Sequence, residues 1–150
     1  MPDGQVVAIG GSKAWNEMVD VSYEAEIWNP QNGQWTVGAT HALDIASRTL
    51  LRAGDSVMVE EPGWAIEFAR LEALGMRILP VPRRADGPDL EVIGRYCEAH
   101  AGTPQAPKMF VSVSVLHNPT GFCISPGSAH RVLQLANAHD FHILEDDTYS

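Results

Sequence analysis

The chain has 150 residues, of which 45% are hydrophobic, so it is long enough to bury a core of its own. Its net charge of −9 comes without any run of Lys or Arg, which argues against binding of nucleic acid or an anionic lipid surface by this segment. No stretch approaches the roughly 18 apolar residues of a membrane span, and the N-terminus lacks the pattern of a signal peptide. We expect a soluble, cytoplasmic protein.

The cysteines and histidines show no metal-binding pattern. Cys97 and Cys123 lack CxxC or paired spacing, which predicts reduced thiols. The histidines lack ligand spacing such as HExxH, and we expect them at helix surfaces or in loops. They are His41, His100, His117, His130, His139 and His142. The carboxylates at 145–147 are possible ligands for a hard cation, but the chain has no DxDxDG loop, and we predict no metal site.

The first 37 residues differ in pattern from the rest. Short β-type runs at 6–9 and 25–28 are separated by Gly10-Gly11 and Asn32-Gly33, which is typical of antiparallel hairpins. Together with Trp35, this order resembles a single Kelch-type repeat of the galactose-oxidase kind. One such blade cannot bury both of its faces. The segment is either a genuine module or a foreign join, and we favour the join because a lone blade exposes its sheet edges.

From residue 38 onward, β-branched runs alternate with amphipathic segments. The pattern predicts helices over 41–51, 65–74, 89–101 and 126–138, and strands over 56–61, 76–81, 108–115 and 142–146. Gly54 and Gly75 follow helix ends, and Asp89 and Ser125 precede helices as N-caps. Because βα crossovers are right-handed, we predict an α/β fold with a mainly parallel sheet, preceded by the short antiparallel β segment. Ligands of such sheets bind at the carboxyl ends of the strands.

Polar and aromatic residues follow three of these predicted strands. Trp64 comes after the first, Asn118 after the third, and Asp146 and Tyr149 at the end of the fourth. Because the carboxyl ends of parallel strands share one edge, we expect the four side chains to surround one crevice. These residues also have purely structural interpretations. Trp64 could be a core aromatic, the NPTG stretch a simple turn that closes a strand, and the acidic residues 145–147 a solvated helix start. Because all four residues follow strands at the same edge of the sheet, we favour a shared crevice over separate structural roles.

Four short motifs, GATHAL, EEPGW, HNPTG and LEDDTY, occur in this order over residues 38–150. This set resembles aminotransferases of the aspartate aminotransferase superfamily, and in particular the aminotransferase-like domain of MocR-type regulators of the GntR family. The resemblance implies pyridoxal phosphate (PLP) as cofactor. It also implies that residues 38–150 form part of the large domain of a PLP-dependent transferase.

The resemblance implies a role for each residue of the crevice. Asp146 would face the pyridine nitrogen of PLP and keep it protonated, because a nearby carboxylate favours the charged form. Asn118 and Tyr149 would donate hydrogen bonds to the phenolic oxygen. Trp64 would stack on the pyridine face.

The resemblance also implies a phosphate site at the start of the first helix. Gly38, Ala39 and Thr40 would offer backbone amides and one hydroxyl to the phosphate at a positive helix end. Ala39 stands where many relatives have Ser, so one hydroxyl contact is expected to be absent.

The lysine that forms the Schiff base is implied to lie beyond Ser150. The lysines of this chain are Lys13 and Lys108. Lys108 starts a strand and so belongs to the opposite edge of the sheet. We therefore expect no catalytic residue within this chain and no turnover by it alone.

Three functions stay open at this point. The first is transamination of an amino acid or amine by the complete protein, which would be a homodimer. The second is effector sensing in a MocR-type regulator, in which a separate winged helix binds DNA, and an upstream basic helix-turn-helix would favour it. The third, suggested by the first 37 residues, is a Kelch-type oxidase propeller.

Overall fold

The computed structural model describes residues 7–8, 26–29, 34–37 and 39–146. In the first part, β1 (Val7–Ala8), β2 (Glu26–Asn29) and β3 (Gln34–Val37) form an antiparallel sheet in the order β1-β2-β3. The predicted antiparallel β segment is thus confirmed, and β3 is an additional strand that the sequence analysis did not predict.

The remaining elements follow the predicted alternation of helix and strand, apart from one additional short strand. The helices are α1 (Ala39–Leu50), α2 (Ala65–Ala73), α3 (Leu90–Ala99) and α4 (Pro126–His139). The strands are β4 (Ser56–Glu61), β5 (Arg77–Arg84), β6 (Gly87–Pro88), β7 (Pro107–Ser112) and β8 (His142–Glu145). Within the described ranges, no helix combines the length and apolar character needed to cross a membrane.

The five strands from β4 to β8 form one sheet in the order β6-β5-β4-β7-β8. β4 pairs in parallel with β5 and β7, and β7 pairs in parallel with β8, which confirms the mainly parallel sheet. β6 is antiparallel to β5 and was not predicted, because two residues carry no periodic signal. The carboxyl ends of β4, β7 and β8 therefore lie side by side along one edge.

Helices cover both faces of this sheet, and alternate strand residues belong to different cores. Val57 and Val59 of β4 pack with buried residues of α1 and α2. Met58, between them, packs with Phe110 of β7 and with buried residues of α3 and α4. Successive side chains of a strand point to opposite faces, so the same short strand contributes to two cores. This burial on both faces explains why the strands have continuous apolar runs.

The predicted helix boundaries rest on local hydrogen bonds. The Asp89 carboxylate accepts from two amides in the first turn of α3, and the Ser125 hydroxyl oxygen accepts from the Ser128 amide at 3.1 Å. Gly54 and Gly75 have φ of +96° and +78°, a region that favours glycine. These contacts confirm the predicted N-caps and the predicted glycines after helix ends, and they determine where the helices begin and end.

Candidate functional site

A small cavity lies at the carboxyl edge of the sheet. Its volume is about 30 Å³, room for one or two water molecules. Residues that follow β4, β7 and β8 line it, together with residues of α2. Val59 and Val111 supply an apolar wall, and Glu67 and His117 add polar groups. The cavity thus lies where ligands of parallel α/β sheets bind.

The structure brings Trp64 and Asp146 to this one cavity. Trp64 occupies the N-cap position of α2, directly after the loop that leaves β4, and is half-buried. Asp146 follows β8, and its amide donates a hydrogen bond of 2.9 Å to the Ser112 carbonyl. That bond continues the β7–β8 pairing for one more residue and fixes the position of the Asp146 backbone. An indole and a carboxylate therefore share one cavity, and their roles toward a cofactor stay predictions.

The other two crevice residues are not placed there by the structure. Asn118 is exposed and is not among the residues that line this cavity, although His117, next to it, is. Tyr149 lies outside the described residues. Trp64 and Asp146 are thus together, and Asn118 stands apart from them on the loop between β7 and α4.

The predicted phosphate site coincides with the start of a helix. α1 begins at Ala39, so the backbones of Ala39 and Thr40 form its first turn. Gly38 lies outside the described residues. A helix start has amides without partners within the helix, which is the feature that binds phosphate. The contact of a phosphate with these residues stays a prediction.

His117 lies in a loop, as expected, but its side chain is not at the surface. His130 and His142 are exposed, but His117 is buried, with 1% of its surface accessible. Its Nδ1 lies 2.9 Å from Thr120 Oγ1, and its Nε2 lies 3.1 Å from Glu60 Oε2 without hydrogen-bond geometry. The loop folds back on itself, which turns the His117 ring toward a buried carboxylate.

A second carboxylate, Glu67, lines the cavity and was not predicted. Arg70 holds it by two hydrogen bonds, from Nε to Oε2 at 2.9 Å and from Nη2 to Oε1 at 2.6 Å. The same Nη2 donates to Ser47 Oγ of α1 at 3.0 Å. Burial raises the pKa of the Glu67 carboxyl, and the negative charge of Asp146 adds to this while Arg70 opposes it. The sequence feature that could have revealed this pair is the i,i+3 spacing of Glu67 and Arg70 on a predicted helix.

A buried ion pair between Glu60 and Arg83 closes the wall beside His117. Arg83 Nη1 donates to Glu60 Oε1 at 2.7 Å, and both side chains are almost fully buried. Glu60 pairs with Val81 in the β4–β5 register, so Arg83 lies two residues further along the same face. The sequence analysis missed this pair because the contact depends on the strand register.

The chemical character of the lining suits the pyridine end of the cofactor that the resemblance implies, whereas the cavity volume of about 30 Å³ is smaller than the ring itself. A protonated pyridine is a flat aromatic cation, which an indole face and a carboxylate both stabilise. Val59 and Val111 suit the apolar part of such a ring. Among the described residues, no group of three or more His, Cys, Asp or Glu side chains is placed to hold a metal ion.

Comparison with known proteins identifies relatives over most of the chain. The family model described as aspartate amino-transferase matches residues 36–150. An aromatic amino acid aminotransferase of Schizosaccharomyces pombe is 30% identical over 131 residues, which cover 82% of this chain and 27% of that protein. The structure of LysN, the α-aminoadipate aminotransferase of Thermus thermophilus, complexed with N-(5'-phosphopyridoxyl)-L-leucine, has a TM-score of 0.67 at 27% identity. It covers 75% of this chain and 28% of that one.

These comparisons confirm the predicted relationship to aminotransferases, and the chain spans about a quarter of the length of the curated relatives. They give no support for a Kelch-type repeat. The uncharacterized HTH-type regulator YcxD of Bacillus subtilis is 27% identical over 113 residues, covering 75% of this chain and 24% of that protein. This likeness alone does not favour a regulator over an enzyme.

Proposed function

Because the chain belongs to the aspartate aminotransferase family, we propose that it carries the cofactor-facing part of a PLP-binding large domain. In the whole protein, this domain would serve the transamination of amino acids. The observation that carries the proposal is that Trp64 and Asp146 line one cavity at the carboxyl edge of the sheet. The relatives support it, since the Thermus enzyme has been seen with a phosphopyridoxyl derivative of an amino acid.

Two residues of the cavity would hold the ring. Bound PLP supplies an electron-withdrawing ring that accepts the electron pair left on the substrate α-carbon when its proton departs. The Trp64 indole would lie on one face of the ring, a stacking contact that contributes about 0.5–1.5 kcal/mol beyond its burial. The Asp146 carboxylate would keep a proton on the ring nitrogen, because an opposite charge nearby favours the charged form.

The remaining contacts belong to the rim of the site. Asn118 and Tyr149 would donate hydrogen bonds to the phenolic oxygen of PLP. Asn118 is exposed and follows a residue of the cavity wall, so its amide is accessible to a ligand that enters from solvent. Amides and a hydroxyl at the start of α1, from Gly38, Ala39 and Thr40, would receive the phosphate.

Lys108 is not proposed as the residue that attaches the cofactor. It is the second residue of β7, three residues before Val111, the first residue of that strand that lines the cavity. Three residues of extended chain from Lys108 to Val111 span about 10 Å, and the side chains of these two residues point to opposite faces of the sheet.

A PLP titration followed by absorbance tests the proposal. We expect the unsubstituted chain and the control Asp86→Asn, in the exposed turn between β5 and β6, to bind PLP equally. Asp146→Asn should bind at least about tenfold more weakly, since it loses a hydrogen bond between charged groups. Equal affinities of the two variants would refute the placement of the ring nitrogen. Borohydride reduction of the PLP-treated chain, followed by peptide mass analysis, identifies any lysine that forms a Schiff base with PLP. An adduct on Lys108 would refute the argument that this lysine lies too far from the cavity.

A further inference from the structure

A guanidinium without solvent access lies behind the cavity wall. The side chain of Arg83 is 0% exposed, and its partner Glu60 is 3% exposed. Burial of two charges carries a desolvation cost that their attraction often only balances, so such a pair adds little stability over an apolar replacement. A contribution to stability therefore does not account for this buried pair. His117 Nε2 lies 3.1 Å from Glu60 Oε2, and the three residues form the Glu60–Arg83–His117 cluster.

Arg83 joins the end of one strand to the loop that follows another. Besides Glu60, its Nη1 donates to the Val113 carbonyl at 3.0 Å, and its Nη2 donates to the Phe122 carbonyl at 3.3 Å. The Glu60 carboxylate in turn accepts from the Val113 amide at 3.3 Å. Val113, the first residue after β7, is thus held on both its amide and its carbonyl side. The ion pair determines how the chain leaves the sheet.

The same contacts close the loop that carries Asn118. The Phe122 carbonyl that accepts from Arg83 also accepts from the His117 amide at 2.9 Å. The Gly121 amide donates to the His117 carbonyl at 2.6 Å, so the loop is pinned at both ends of its turn. Removal of the guanidinium would leave the Phe122 carbonyl and the Glu60 carboxylate without this partner inside the protein. Buried groups that lose a partner reorganise or admit water.

We propose that Arg83 is a positioning residue, which acts through Glu60 and Phe122 to fix the loop 117–122 against the cofactor cavity. Glu60, Val113 and His117 of this arrangement line the cavity that contains Trp64 and Asp146. The inference rests on the proposed function, because the loop presents Asn118 to the cofactor. Arg83 itself touches no ligand in this scheme, and its effect passes through the loop.

The first arm of the test is hydrogen exchange, which does not depend on a cofactor. Arg83→Met should raise amide exchange at His117 and Gly121 by at least about tenfold, the effect of one lost hydrogen bond to a charged group. The Phe110 amide, in the core of β7, is the reference for global opening. Arg84→Met is the matched control, because Arg84 is adjacent on β5 but has a side chain that is 65% exposed. Unchanged loop exchange in Arg83→Met, or an equal rise at Phe110, would overturn the inference.

The second arm measures PLP affinity in the same proteins. We expect Arg83→Met to bind PLP about tenfold more weakly than the unsubstituted chain, and Arg84→Met to bind as the unsubstituted chain does. A loosened loop with unchanged affinity would overturn the positioning role. Failure of the unsubstituted chain to bind PLP would count against the proposed function alone. The hydrogen-exchange measurement would then show by itself whether Arg83 fixes the loop 117–122.

A third variant covers the case in which Arg83→Met does not fold. Arg83→Lys keeps the charge but has one compact donor group in place of a planar fork, so it cannot reach Glu60, Val113 and Phe122 together. We expect it to fold, to raise exchange at Gly121 and to weaken PLP binding by less than the methionine variant. Exchange and affinity equal to those of the unsubstituted chain would show that a charge alone suffices and would refute the role of the fork.

Discussion

The substitution Gly63→Ala tests how closely the loop after β4 packs against β4 and α2. The φ of Gly63 is outside the region that favours glycine, so the effect of the substitution is steric. The added Cβ would lie 2.3 Å from the Glu60 carbonyl oxygen and 2.7 Å from Phe68 Cζ. Phe68 can turn its ring, but the carbonyl belongs to the backbone of β4 and cannot yield as easily. Overpacking of this kind costs about 1–3 kcal/mol of unfolding free energy.

A urea unfolding series followed by circular dichroism measures this cost. Gly94→Ala, in the middle of α3, is the control: no atom lies within 4 Å of its added Cβ, and alanine should stabilise the helix by about 0.5–1 kcal/mol. The double variant Gly63→Ala with Phe68→Leu should recover only part of the loss, because the contact with the Glu60 carbonyl remains. Stability of Gly63→Ala within about 0.5 kcal/mol of the unsubstituted chain, or complete recovery in the double variant, would refute the reasoning.

Two further predictions concern groups away from the cavity. Asp89→Ala should cost about 1 kcal/mol at neutral pH. Although burial opposes it, hydrogen bonds from Arg84 and from α3 amides lower the pKa of Asp89 below its ordinary 3.8. Its contribution is therefore present above that value and lost as the pH falls through the folded pKa, and urea unfolding in acid should show a smaller difference. Burial raises the pKa of the Cys97 thiol to about 11, whereas Cys123 is exposed. A thiol reagent at pH near 8 should react quickly with Cys123 alone, and Cys123→Ser should abolish the fast phase.

The elements of the fold could be predicted because their signals are local. β4 was predicted with its bounds unchanged from the run SVMVEE, and α4 from Ser125 followed by a proline at the first helical position. Such patterns report burial on one face and the capping of a helix end. The parallel arrangement then followed from the handedness of crossovers, without knowledge of any side-chain contact.

The buried charges could not be predicted in this way. Glu60 and Arg83 meet only because β4 and β5 pair in one particular register. A shift of one residue would point either side chain to the other face of the sheet. In the sequence, each looks like a polar residue at the end of a strand. Local hydrophobic patterns therefore indicate which residues are apolar and buried, but not which polar residues are buried in pairs.

The number of residues between a site residue and the preceding strand end explains whether the sheet topology brings that residue to the cavity. Asp146 directly follows β8, and Trp64 follows β4 by a short loop, so the sheet itself carries both to the cavity. Asn118 stands well beyond the end of β7, where the ladder no longer fixes the direction of a side chain. Its position depends instead on the hydrogen bonds of His117 and on the buried guanidinium of Arg83. Parallel topology thus positions the indole and the carboxylate, whereas the amide depends on a charge cluster that no periodic pattern encodes.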